Sequence, residues 1–200
     1  MGQEDVKRAV TYFEHHDICY YLESNDGIFF KDNCADFISE AAVKMSKIYP
    51  DRFEKDNPIP QWFIDIINEN IGQDIDFDNI NKISFISIRH PFDKSFEYFK
   101  NDYEVHHSTV FQYGPNSGEL GIKGVTKYTA VKRVLDHLEE KAYKSFAFGD
   151  GLNDVDMFNA VDFAVAMENA KSGLKDVADA ITDIAENDGV YKAFEKLNLI

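Results

Sequence analysis

Cysteine is scarce. The 200 residues hold two, Cys19 and Cys34. One pair is no disulfide framework in a chain of this length, and it reads as two reduced thiols of a cytoplasmic protein. Positive charge is also short. Lys and Arg number 21 against 36 Asp and Glu, a formal net charge of −15. That balance argues against nucleic acid or an anionic membrane as a partner. It repels phosphorylated ligands as well, so a site for one must rest on local groups. No apolar run approaches the ~20 residues of a membrane span. The opening Met1-Gly2-Gln3-Glu4-Asp5 is acidic and polar, unlike a signal peptide. Internal repeats and low-complexity tracts are absent too.

What is present is apolar and aromatic. Hydrophobic residues make up 44% of the chain, with 17 Phe and 10 Tyr. That is enough for a sizeable core, and it suits strands and packed α/β layers. Val6, Ala9, Val10 and Phe13 recur at helical spacing and predict a helix over Gln3–Glu14. Ile18–Leu22 and Ile28–Phe30 flank the turn Asn25-Asp26-Gly27 as a hairpin. Ala35–Lys47 reads as helix, and Trp62–Ile67 as helix or strand. Pro58 and Pro60 mark a loop. Ile83–Ile88 and Glu104–Gln112 read as strands, with a helix over Asp93–Lys100 between them. Gly114-Pro115-Asn116-Ser117-Gly118 is the strongest breaker, and it sets the expected domain boundary between 118 and 119. Beyond it, strand and helix alternate. Helices are predicted over Thr126–Lys141, Leu152–Asn159, Lys171–Ala178 and Val190–Leu197. Apolar runs at Ser145–Phe148, Phe163–Met167 and Ala180–Thr182 read as strands. The spacing means parallel α/β.

The chemistry concentrates in Phe146-Ala147-Phe148-Gly149-Asp150-Gly151-Leu152-Asn153-Asp154. An apolar strand runs into Gly-Asp-Gly, and Asn-Asp opens the next helix. Ligands of parallel sheets bind beyond the carboxyl ends of strands. A carboxylate there, Asp150, can hold a hard cation such as Mg²⁺, which needs few protein ligands. Asn153 and Asp154 stand at a helix N-terminus, where amides and the helix dipole favour anions. Each residue alone could be an ordinary turn or cap residue. Leu152 at the third position rules out a calcium-loop spacing. Upstream, Lys127 follows Gly124-Val125-Thr126 near a helix start. Alone it reads as a surface lysine. One helix and one strand before Gly-Asp-Gly-x-Asn-Asp, it reads as a phosphate-binding point charge.

These two elements resemble the third and fourth motifs of the haloacid dehalogenase superfamily, in its Cof-type phosphatases. The family patterns are Gly-Val-Ser-Lys-Gly and Gly-Asp-x-x-Asn-Asp followed by Met. Here they stand as Gly124-Val125-Thr126-Lys127-Tyr128 and Gly149-Asp150-Gly151-Leu152-Asn153-Asp154 with Met157. Ala164-Val165-Ala166-Met167-Glu168-Asn169-Ala170 is similar to the family's Val-Ala-Met-Gly-Asn-Ala. Tyr128 and Glu168 replace glycines of the pattern. The resemblance implies an α/β fold with an α/β cap domain over 1–118. The C-terminal part of a Rossmann-like core would follow over 119–200. It implies phosphomonoester hydrolysis through an aspartyl-phosphate, with Mg²⁺ as cofactor. Lys127 would be catalytic and bind phosphate, Asn153 would contact the phosphate, and Asp150 and Asp154 would hold the metal. The substrate would be a small phosphorylated metabolite of the sugar phosphate class.

The family's nucleophile sits in Asp-x-Asp-Gly-Thr, which these 200 residues lack. Asp74-Ile75-Asp76 has the spacing, but no apolar strand leads in and no Gly-Thr follows. The expectation is therefore a chain without its first two motifs and inactive alone. The resemblance places the absent strand beside Ser145–Phe148, which predicts an open apolar edge. A homodimer, or a complementing chain carrying those motifs, would cover it. The other readings are a non-catalytic remnant that binds a phosphorylated ligand or a protein, and a fragment without selected function. His15-His16 and His106-His107 are adjacent pairs whose rings diverge, so neither alone is expected to hold a metal.

Overall fold

The computed structural model describes residues 1–53, 59, 61–138 and 144–200. The expected loop at Pro58 and Pro60 and the end of the helix predicted over Thr126–Lys141 lie outside the described residues. The chain forms two compact units, Met1–Lys123 and Gly124–Ile200.

In the first unit, antiparallel strands lie in the order β2-β1-β3-β5-β4. They are β1 (Cys19–Ser24), β2 (Ile28–Phe30), β3 (Ile80–Ile86), β4 (Tyr103–His107) and β5 (Gly118–Ile122). Alternation sends successive side chains to opposite faces. Tyr20 and Leu22 of β1, with Ile83 and Phe85 of β3, join a core under α1 (Gln3–His15) and α4 (Phe92–Phe99). Helix α1 reaches that core with Val6, Ala9 and Phe13, the residues its periodicity singles out. Cys19 and Ile86 face the other way, toward Cys34, Ile38 and Ala42 of α2 (Cys34–Ile48) and Ile67 of α3 (Gln61–Glu69). The segment open to two readings is thus the helix α3. The β1–β2 turn closes on Ser24, whose Oγ accepts from the N–H of Asp26 at 3.0 Å and of Gly27 at 3.1 Å.

The boundary falls five residues later than expected. Strand β5 begins at Gly118, inside the breaker, and pairs with both β3 and β4. The glycine is needed for packing, since a Cβ there would sit 2.6 Å from the carbonyl oxygen of His106 and 2.6 Å from the Phe85 ring. The expected strand over Glu104–Gln112 is shorter, because Phe111–Tyr113 forms a 3₁₀ turn.

The second unit is a parallel sheet in the order β6-β7-β8, with β6 (Phe146–Gly149), β7 (Phe163–Met167) and β8 (Ala180–Thr182). Its helices are α5 (Lys127–His137), α6 (Val155–Phe158), α7 (Ser172–Lys175) and α8 (Gly189–Lys196). The described core is Ala147, Phe158, Ala164, Ala166, Ala170 and Leu174. Carboxylates pin the strand starts. Asp162 accepts from the N–H and hydroxyl of Ser145, at 2.8 and 2.7 Å. Asp179 accepts from the N–H of Ala164 at 2.7 Å. This is a mixed α/β chain with parallel strands and helices, as the alternation predicts. Among the described residues, no helix is long and apolar enough to cross a membrane.

Candidate active site

Strand β6 delivers its carboxyl end to a tight turn at Gly149-Asp150-Gly151. A 3₁₀ turn over Leu152–Asp154 follows and leads into α6. Asp154 folds back over this turn. Its Oδ2 accepts from the N–H of Asp150 at 3.1 Å and of Gly151 at 3.2 Å. The fold-back works only over glycine, because a Cβ on Gly149 would lie 2.7 Å from the Asp154 carboxylate. The other oxygen, Oδ1, accepts from Nζ of Lys127. The two residues stand 27 apart in the chain, so α5 and the β6 turn meet at this ion pair.

The pair is asymmetric: the Asp154 side chain is 8% exposed and that of Lys127 is 47% exposed. Burial works to raise the Asp154 pKa. The hydrogen bond from Lys127 and the N–H groups of Gly151 and Asp150 outweigh it and hold the carboxyl below the usual range. Lys127 is aimed by a reciprocal cap. Thr126 Oγ1 accepts from the N–H of Thr129 at 3.2 Å, and the N–H of Thr126 donates to Thr129 Oγ1 at 2.8 Å. The motif reading passed over this Thr-x-x-Thr box. Its signal is a hydroxyl at each cap position, where Glu or Gln is more usual at the second.

Four predicted residues thus fall in one region of the second unit. Asp150 is exposed, and among the described residues its carboxylate has no hydrogen-bond or ion-pair partner. Asn153 is exposed beside it, its side-chain oxygen lying over Gly151. Asp154 is buried and pairs with half-exposed Lys127. Among the described residues, no group of three or more His, Cys, Asp and Glu could hold a metal. With both Asp154 oxygens engaged, the open carboxylate of Asp150 suits an ion that keeps most of its waters, as Mg²⁺ does.

The two departures from the glycine pattern resolve simply. Tyr128 is 39% exposed, and Lys132 Nζ lies over its ring at 5.9 Å. Glu168 pairs with Lys175 at 3.5 Å. Asp74-Ile75-Asp76 is irregular chain, with Asp76 capping a 3₁₀ turn through the N–H of Asp78 at 2.9 Å.

A family model described as haloacid dehalogenase-like hydrolase matches residues 1–194. The chain belongs to the haloacid dehalogenase-like hydrolases. Within the family it is 38% identical over 79 residues to 5-amino-6-(5-phospho-D-ribitylamino)uracil phosphatase YcsE of Bacillus subtilis, covering 40% of this chain and 32% of that one. Among solved structures it superposes on a haloacid dehalogenase-like hydrolase from Bacteroides thetaiotaomicron with TM-score 0.66 and 19% identity, over 98% of this chain and 67% of that one. The sugar phosphatase BT4131 gives TM-score 0.63 and 20% identity, over 100% of this chain and 68% of its own. These structural likenesses speak to the fold. The chain spans 20% and 30% of the lengths of two other curated relatives.

Proposed function

We propose that this chain carries the lysine and cation-binding half of a phosphomonoester hydrolase site. The observation that carries the reading is the Lys127–Asp154 pair, held over the β6 turn beside the open carboxylate of Asp150. Lys127 would neutralise charge on a transferring phosphoryl group, and Asn153 would donate to its oxygens. Asp150 would ligate Mg²⁺, and Asp154 would steady the site through the amides it accepts from. Mg²⁺ bound there would offset negative charge on the phosphoryl oxygens. The substrate class is a small phosphorylated metabolite, with sugar phosphates the first to test. With a net charge of −15, attraction must come from Lys127 and the metal.

The attacking carboxylate of an aspartyl-phosphate mechanism has no counterpart in the 200 residues, since Asp-x-Asp-Gly-Thr is missing from them. This polypeptide alone is therefore expected to show no turnover. Another polypeptide carrying that motif, set against β6, would have to complete the site. The test is phosphate release from an aryl phosphate by the purified chain, with and without Mg²⁺. No release supports the incomplete site. Mg²⁺-dependent release that disappears in Asp150→Asn would keep the phosphatase reading and overturn the missing nucleophile. A second reading, a non-catalytic phosphate-ligand binder, draws on the intact Lys127 and open Asn153. It requires inorganic phosphate to bind the inactive chain and Lys127→Ala to abolish that binding.

A further inference from the structure

The first unit brings together two histidines that are 74 residues apart. His16 caps the C-terminus of α1, and His90 lies between β3 and α4. Their ring centroids are 4.4 Å apart at an interplanar angle of 38°. Both are half-buried, so they are shielded yet open on one side. Two features fix His90. Its carbonyl accepts from the buried Ser87 hydroxyl at 2.7 Å, and its Nε2 shares a 2.9 Å hydrogen bond with the Tyr12 hydroxyl. The Tyr12 ring packs on His16 at 4.5 Å and stacks on Tyr98 at 4.3 Å, which holds it in place.

We propose that His16 and His90 form a two-imidazole site for a divalent transition metal ion. Metal–nitrogen bonds of ~2.0–2.1 Å place the centroids of two rings on one ion roughly 4–5 Å apart, which the observed spacing meets. Ligating histidines commonly donate their other ring N–H to an oriented acceptor, and with His90 Nε2–H donating to the Tyr12 hydroxyl oxygen, Nδ1 is left for the ion. Neutral imidazole is the ligating form. Among the described residues, no third His, Cys, Asp or Glu completes a larger cluster, so water fills the other positions. Imidazole donors select Cu²⁺, Ni²⁺ or Zn²⁺ over Mg²⁺, which separates this site chemically from Asp150. A bound ion would tie the end of α1 to the β3–α4 connection.

The test uses the full chain in excess Mg²⁺ with Cu²⁺ as the probe. One equivalent is expected to give an electron paramagnetic resonance spectrum with two nitrogen ligands. His16→Gln and His90→Gln should each weaken binding by about tenfold or more. His106→Gln with His107→Gln should leave it unchanged. Nitrogen-15 spectra of the unaltered chain with Zn²⁺ give a second readout that needs no variant. The ring signals of His16 and His90 should move together ahead of the others. Binding that survives both single variants, or ring shifts confined to other histidines, would overturn the site.

Discussion

Asp154 shows what one buried carboxylate does in this fold. It accepts from Lys127 and from the N–H groups of Asp150 and Gly151, so its removal strands three donors. Asp154→Ala should destabilise the second unit by roughly 1–3 kcal/mol. The lower part of that range is expected, because half-exposed Lys127 can turn to water. Asp154→Asn keeps an accepting oxygen and should cost less. Urea titration followed by amide signals of residues 146–167 would measure both, and equal losses would contradict the acceptor role. Asp183 contributes to the pH dependence, as Asp154 does. Lys192 first, then Asn187 and the N–H of Ile184, hold its carboxyl down to about 2. This lies below the unfolded value of ~3.9, so its contribution is complete above that pH and fades as pH falls toward 2. In Lys192→Ala the Asp183 titration, read by carboxyl carbon shifts, should move up toward ~3.9. An unmoved titration would remove Lys192 as the cause. Residue identities at the candidate site were legible because strand, glycine and carboxylate lie adjacent in sequence. The division of labour between Asp150 and Asp154 was not, because it depends on a backbone turn that folds one carboxylate inward and leaves the other in solvent.

Elements were legible where one period ran for several turns and obscure where packing overrode it. The α1 pattern placed Val6, Ala9 and Phe13 correctly, because a helix on a sheet buries one stripe. Strand β5 was hidden, since Gly118 reads as a breaker although its missing side chain admits the Phe85 and Phe92 rings. Helix α5 departs in another way. Its apolar residues Ala130, Val131, Val134 and Leu135 share a face as predicted, with Leu138 at the C-cap, yet none is buried among the described residues. Val134 is 57% exposed and Leu138 54%. Strand β6 pairs only with β7 among the described residues, so an apolar edge and an apolar helix face both lack cover. Such features favour association. Light scattering at micromolar concentration should show a species larger than the monomer. Val134→Lys with Leu138→Lys should shift it toward monomer without lowering the melting temperature, since neither side chain packs in a core. A monomeric parent chain would count against self-association.

At the scale of the molecule, the two units are built on unequal cores. The first packs both faces of a five-stranded sheet, with Phe13, Phe85, Phe99 and Tyr103 on one face and Ile38, Ile67 and Ile86 on the other. Among the described residues, the second gathers four alanines, Phe158 and Leu174 in its core cluster around three short strands, with Val165 and Met167 also buried. Small side chains remove little apolar area from water, so the second unit should be the less stable. Composition counts apolar residues without saying how they are shared, so this inequality could not be read before the strands were placed. Trp62, the single tryptophan, lies in α3 of the first unit and reports on that unit. Urea should therefore give two transitions, with loss of β6–β8 amide signals preceding the change in Trp62 fluorescence. Asp154→Ala should move the first transition to lower urea and leave the second in place. One coincident transition, moved as a whole by Asp154→Ala, would mean that the units fold as one cooperative body and that the small core borrows its stability from the large one.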